Sequence, residues 1–106
     1  MITVHAESLT KYQFVDHKSN SRLAKVIFNY LSKLASEPAT EIDDVSSTFG
    51  HVWQYRFKIR GVKVNYLDVM NTETSMVFID MHMQGVIDIN KLVTEIENNV
   101  GEVIFS

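Results

Sequence analysis

Cysteine is absent from the 106 residues, which excludes disulfides, a thiolate nucleophile and any cysteine-ligated metal. Proline occurs once and glycine four times; Gly50, Gly61, Gly85 and Gly101 read as turn residues, and none sits in a phosphate-cradling loop. No apolar run approaches the roughly 20 residues a membrane helix needs. The opening Met1-Ile2-Thr3-Val4-His5 lacks the basic region and apolar stretch of a secretory signal. The expectation is a cytoplasmic chain with no membrane segment, no metal and no cofactor. Positive charge is scarce as well: 10 Lys and Arg against 13 Asp and Glu leave a net charge of −3. A nucleic-acid surface would therefore have to arise from local clustering. What is present is 45% apolar residues, enough for a folded core rather than a disordered chain. The length fits a single α+β domain over residues 1–106.

Ile2 and Val4 alternate with polar neighbours and read as a first strand. From Ser8 to Asp16, the positions of Leu9, Tyr12 and Phe14 or Val15 favour a short helix. Between Ser19 and Leu34, Leu23, Val26, Ile27, Tyr30, Leu31 and Leu34 recur at helical spacing. Ser19, Asn20 or Ser21 can cap that helix and Pro38 is expected to end it. Its opposite stripe carries Arg22, Lys25, Asn29 and Lys33. Ala39 to Phe49 reads as an acidic connector with at most a helical turn. Asp88 or Asn90 opens a last helix lined by Ile89, Leu92, Val93, Ile96 and Val100. Gly101 suits a left-handed cap there, and Glu102 to Phe105 can add a strand.

The most informative stretch is the centre. Trp53, Tyr55, Phe57 and Ile59 alternate with Gln54, Arg56, Lys58 and Arg60. A two-residue turn at Arg60-Gly61 pairs Ile59 with Val62, Phe57 with Val64 and Tyr55 with Tyr66, apolar against apolar each time. A four-residue loop, Asn71 to Thr74, then pairs Val64 with Met81 and Tyr66 with Ile79. An odd loop would turn Asp80 and His82 into the core. The same register gathers Arg56, Lys58, Lys63, Asn65, Asp80 and His82 on the outer face, with Arg60 at the turn. Lys58 stands directly opposite Lys63, a pairing that weakens a sheet. Two readings are open: a solvated strand face whose charges discourage edge pairing, or a surface for phosphate with an acid/base histidine. His5, His17 and His51 show no metal-ligand spacing. Met81 and Met83 read as core, with Met76 and Met83 able to contribute to an adaptable interface.

Met1-Ile2-Thr3-Val4, Leu9, Phe14 and His17, the helix ending Tyr30-Leu31-Ser32-Lys33-Leu34, and above all Phe57-Lys58-Ile59-Arg60-Gly61-Val62-Lys63 followed by Val77-Phe78-Ile79, resemble the HigB-type toxins of the RelE/ParE superfamily. The resemblance covers roughly Met1 to Asp88. It implies an antiparallel sheet of three to four strands with helices packed on one face and a basic cleft on the other. It also implies metal-independent cleavage of ribosome-associated mRNA and neutralisation by an antitoxin. Lys58, Arg60 and Lys63 match positions commonly basic or polar in that family. Met81-His82-Met83-Gln84-Gly85 departs from it in the place of its histidine and in lacking a following tyrosine.

On that reading His82 transfers protons, Lys63 and Asp80 assist it, and Arg56, Lys58, Arg60, Asn65 and Lys25 hold RNA phosphate. The competing reading is a non-enzymatic interaction protein, such as a phage or mobile-element inhibitor of a host protein. The acidic balance favours it. A third is a subunit that dimerises through the outer sheet face or the last strand.

Overall fold

The computed structural model describes the backbone of residues 1–47 and 50–106, and the side chains of 1–42 and 51–106. The elements follow as β1 (Ile2–Ala6), β2 (Lys11–Asp16), α1 (Arg22–Leu34), β3 (Thr40–Ser47), β4 (Gly50–Ile59), β5 (Val62–Met70), β6 (Ser75–Met81), α2 (Ile89–Asn99) and β7 (Val103–Phe105). The strands form one seven-stranded mixed sheet in the order β3-β4-β5-β6-β2-β1-β7. Only the β1–β7 pair is parallel. The class is α+β as expected, but the sheet exceeds the three to four antiparallel strands anticipated.

The central hairpins have the register that their alternation requires. Ile59 pairs with Val62, Phe57 with Val64 and Tyr55 with Tyr66; Val64 pairs with Met81 and Tyr66 with Ile79. Arg60 and Gly61 both take positive φ (53° and 78°), the geometry whose twist suits a two-residue hairpin. At the other turn the Asn71 Oδ1 accepts from the backbone nitrogens of Glu73 and Thr74, each at 2.8 Å, which fixes a four-residue loop.

Two segments differ from expectation. Lys11–Asp16 is a strand, not a helix, wedged between β6 and β1. Tyr12 and Phe14 point to the helix side, where Phe14 is completely buried. Residues Thr40–Ser47 form edge strand β3, not a turn of helix, with a bulge between Glu41 and Asp43. Phe49 and the side chains of Asp43 and Asp44 lie outside the described residues.

The core lies between the sheet and the two helices. Leu23, Ile27 and Leu31 of α1 join Leu92, Val93 and Ile96 of α2 against Val4, Phe14, Phe57, Val64, Val77 and Ile79. Each such side chain contributes about 1.5–3 kcal/mol on burial. Ser75, 1% exposed, clamps the start of α1: its hydroxyl donates to the Asn20 carbonyl (2.8 Å) and accepts from the Asn20 nitrogen (3.0 Å). Asn20 Oδ1 accepts from the Arg22 nitrogen at 2.9 Å, whereas Ser21 makes no side-chain cap bond. The helix stops at Leu34, and Ala35 is already extended, so Pro38 lies beyond the stop rather than causing it. Asp88 caps α2 by accepting from Asn90 and Lys91. Gly101 does not take the expected left-handed conformation; Val100 closes the helix at φ −124°. Met81 is core, but Met83 is 56% exposed. Among the described residues no helix is long and apolar enough to cross a membrane.

Candidate functional site on the open sheet face

Both helices pack on one side of the sheet, and the side chains between the core positions emerge on the other. Strand pairing arranges those outward residues in rows across the sheet. Val52, Val69, Met76 and Val15 make the first row, and Gln54, Leu67, Phe78, Gln13 and His5 the second. The third row is Arg56, Asn65, Asp80 and Lys11. Lys58 and Lys63 make the fourth, and the chain beyond β6 brings in His82, whose backbone nitrogen donates to the Lys63 carbonyl at 3.4 Å. The face therefore grades from apolar, through amides and an aromatic ring, to cationic.

The polar end is knit together by Asn65. Arg56 Nε donates to Asn65 Oδ1 at 3.3 Å, and the Asn65 amide nitrogen lies 3.4 Å from His82 Nε2. The amide can donate there when the imidazole proton is on Nδ1. Lys58 and Lys63 are exposed and stand directly opposite each other across the strands. Their backbones are fixed: the Lys58 carbonyl accepts from the Ser36 nitrogen at 3.1 Å. Two like charges side by side on a sheet repel each other and raise the local positive potential, which a bound anion can relieve.

Beside this cluster lies a groove of about 510 Å³. Leu67, Phe78 and the bulged Ile42 give it apolar surface, and Gln54, Asn65, Arg56, Lys11, Asp80 and Glu7 line it with polar groups. Arg56, Lys58, Lys63, Asn65, Asp80 and His82 thus share one uncovered face, and Arg60 sits at the hairpin tip. Lys25 does not join them. It lies on α1 on the helix side, beside a separate cavity with Trp53 and Asp68.

Sequence reasoning missed Lys11 and Glu7. Lys11 stands opposite Asp80 only because β2 pairs with β6, and that segment carries a helical as well as a strand pattern. Its strand signal was the run Tyr12-Gln13-Phe14-Val15, aromatic and β-branched with alternation. His17 bonds Thr3 Oγ1 at 2.8 Å through its Nε2, away from the site. No group of three or more potential metal ligands occurs among the described residues. No protein-family model, curated protein or solved structure matches the chain.

Proposed function

We propose that the open sheet face binds single-stranded RNA, in the manner of a HigB-type toxin acting on ribosome-associated mRNA. The observation that carries this reading is the gradient across the face. Lys58, Lys63 and Arg56 offer positive charge where a phosphate backbone would run. The half-exposed Phe78 and the Gln54 and Asn65 amides lie one to two rows away, where bases would stack and be read. If the RNA is cut, His82 is the group able to take the ribose 2′-hydroxyl proton as that oxygen attacks phosphorus, the P–O5′ bond breaks and the leaving 5′-oxygen takes a proton from water or from the imidazolium so formed. Lys63 and Arg56 would neutralise the charge that develops on the phosphate.

The test is binding of a fluorescent single-stranded RNA followed by anisotropy over a range of salt. Three or four phosphate contacts give a slope of log K against log salt of roughly −2 to −3. Lys58→Ala with Lys63→Ala should weaken binding tenfold or more, and His82→Ala should abolish cleavage while largely preserving binding. Absence of RNA binding at low salt by folded protein would overturn the proposal.

One observation favours the second reading, a non-enzymatic inhibitor of another protein. Glu7 and Asp80 place two carboxylates in the same groove as Lys11 and Arg56. Mixed charge around an apolar floor suits a peptide segment better than a polyanion. A stoichiometric protein partner, lost on Arg56→Glu, together with no RNA binding, would establish that reading.

A further inference from the structure

On the helix side, a second cavity of about 330 Å³ opens where α1 leaves the far end of β4 and β5 uncovered. Its walls are aromatic and soft: Phe28 from α1, Trp53 and Tyr55 from β4, and Met70 from β5. Phe28 meets Tyr55 edge-on, centroids 5.0 Å apart at 76°, and His51 stacks on the Trp53 indole at 5.2 Å and 17°. These contacts hold the rings in place before any ligand arrives. Among the described lining residues stands one carboxylate. Asp68 pairs directly with Trp53 across the strands, and its Oδ1 is buried without a hydrogen-bond partner. A buried, unpartnered carboxylate oxygen is costly and rare in a folded protein. We propose that this cavity is a binding site for an alkylated ammonium group, with Asp68 as counter-ion and Trp53, Tyr55 and Phe28 as walls.

The choice of cation follows from what the cavity offers. A primary ammonium or a guanidinium brings three to five N–H donors that need acceptors. The described lining presents the Asp68 carboxylate, exposed Ser21 and Asn29 from the α1 side, and otherwise mainly the three rings and Met70. An alkylated ammonium needs no hydrogen bonds; its methyl groups carry the positive charge onto ring faces and toward a carboxylate, the arrangement by which aromatic cages hold such ions. Burial independently pushes the Asp68 carboxyl up to about 6, as expected of an acid with no compensating cation. Lys25 is the one cation in the lining, but it is exposed on α1 and makes no ion pair with Asp68 among the described residues. The inference does not depend on RNA binding by the opposite face.

Trp53 is the only tryptophan in the chain, so its fluorescence reports on this cavity alone. The full-length protein is titrated with choline chloride and, separately, with a short peptide bearing one trimethyllysine. Sodium chloride and the unmethylated peptide are the matched controls, and calorimetry on the same samples registers any binding that leaves the fluorescence unchanged. Saturable binding of either probe, absent from its control, is the expected result. Choline alone binding identifies a free small molecule as the ligand class, and the peptide alone binding identifies a modified protein side chain. Asp68→Asn should weaken binding at least tenfold with an unfolding midpoint no lower than wild type. Lys25→Met should bind as tightly as wild type or more tightly. No saturable binding of either probe, or unchanged affinity in Asp68→Asn, or loss of affinity in Lys25→Met, overturns the proposal.

Discussion

At the scale of single residues, Asp68 sets one function against stability. Burial raises its carboxyl from 3.8 to about 6 in the folded chain. The folded state therefore binds this proton more tightly than the unfolded state. The stabilisation linked to it is complete below about pH 4 and is lost as pH rises through about 6. A shift of two units corresponds to about 3 kcal/mol at most, and water reaching this half-buried side chain reduces the effect to about 1 kcal/mol. Asp68→Asn should therefore be more stable than wild type by about 1 kcal/mol near neutral pH, with the difference vanishing near pH 4. Urea unfolding at the two pH values measures it; an equal difference at both would show that ionisation is not its source. Tyr66, beside it, behaves differently. Burial first, then the Asp68 and Tyr55 charges, raises its phenol, which stays neutral and donates to the Ala24 carbonyl at 3.1 Å. Tyr66→Phe removes that bond while the carbonyl keeps its place in the α1 ladder, and should cost about 1 kcal/mol in the same measurement.

At the scale of elements, the β4–β5 hairpin shows why part of the fold was legible. A period of two leaves only registers differing by whole pairs, and one buried face selects among them. Both loops of the meander follow from that constraint, so the row containing Arg56, Asn65 and Asp80 could be written down from the sequence. β2 was illegible for an opposite reason. Asp16 occupies a helix-side position and is buried there, and Val15 is buried on the open side, so hydrophobicity does not report the faces. β3 is an edge strand, paired on one side and interrupted by a bulge at Ile42, so it carries little apolar pattern. Part of the groove was hidden with them, because Lys11 and Ile42 arrive through these two strands and Glu7 through the turn before β2. The turn between β4 and β5 offers a direct test of the local chemistry. Arg60 holds φ at 53°, a region that Asn tolerates better, so Arg60→Asn should stabilise the fold by roughly 0.5–1 kcal/mol. Gly61→Ala should destabilise it by about 1 kcal/mol through its φ of 78°, although no atom lies within 4 Å of the added methyl. The pair of denaturation midpoints should move in opposite directions.

At the scale of the whole molecule, the two faces of one sheet carry opposite electrostatic problems. On the helix side a half-buried carboxylate has one oxygen without a hydrogen-bond partner among the described residues; on the open side two lysines face each other on a chain whose net charge is −3. An acidic protein has carboxylates enough to neutralise that pair, yet none stands opposite either lysine on the adjoining strand. If the pair serves only to keep the sheet soluble, reversing one charge is harmless. If it holds RNA phosphate, the same change removes the binding surface. Lys63→Glu separates these cases. It creates an opposite-charge pair with Lys58 across the strands and should raise stability by a few tenths of a kcal/mol to about 1 kcal/mol. It should also lower RNA affinity by more than tenfold and flatten the salt dependence by about one unit or more of slope. A variant that gains stability and loses binding would mark the Lys58–Lys63 pair as a feature kept for its ligand at the expense of the fold. A variant that gains stability with binding unchanged would return both lysines to the solvated surface.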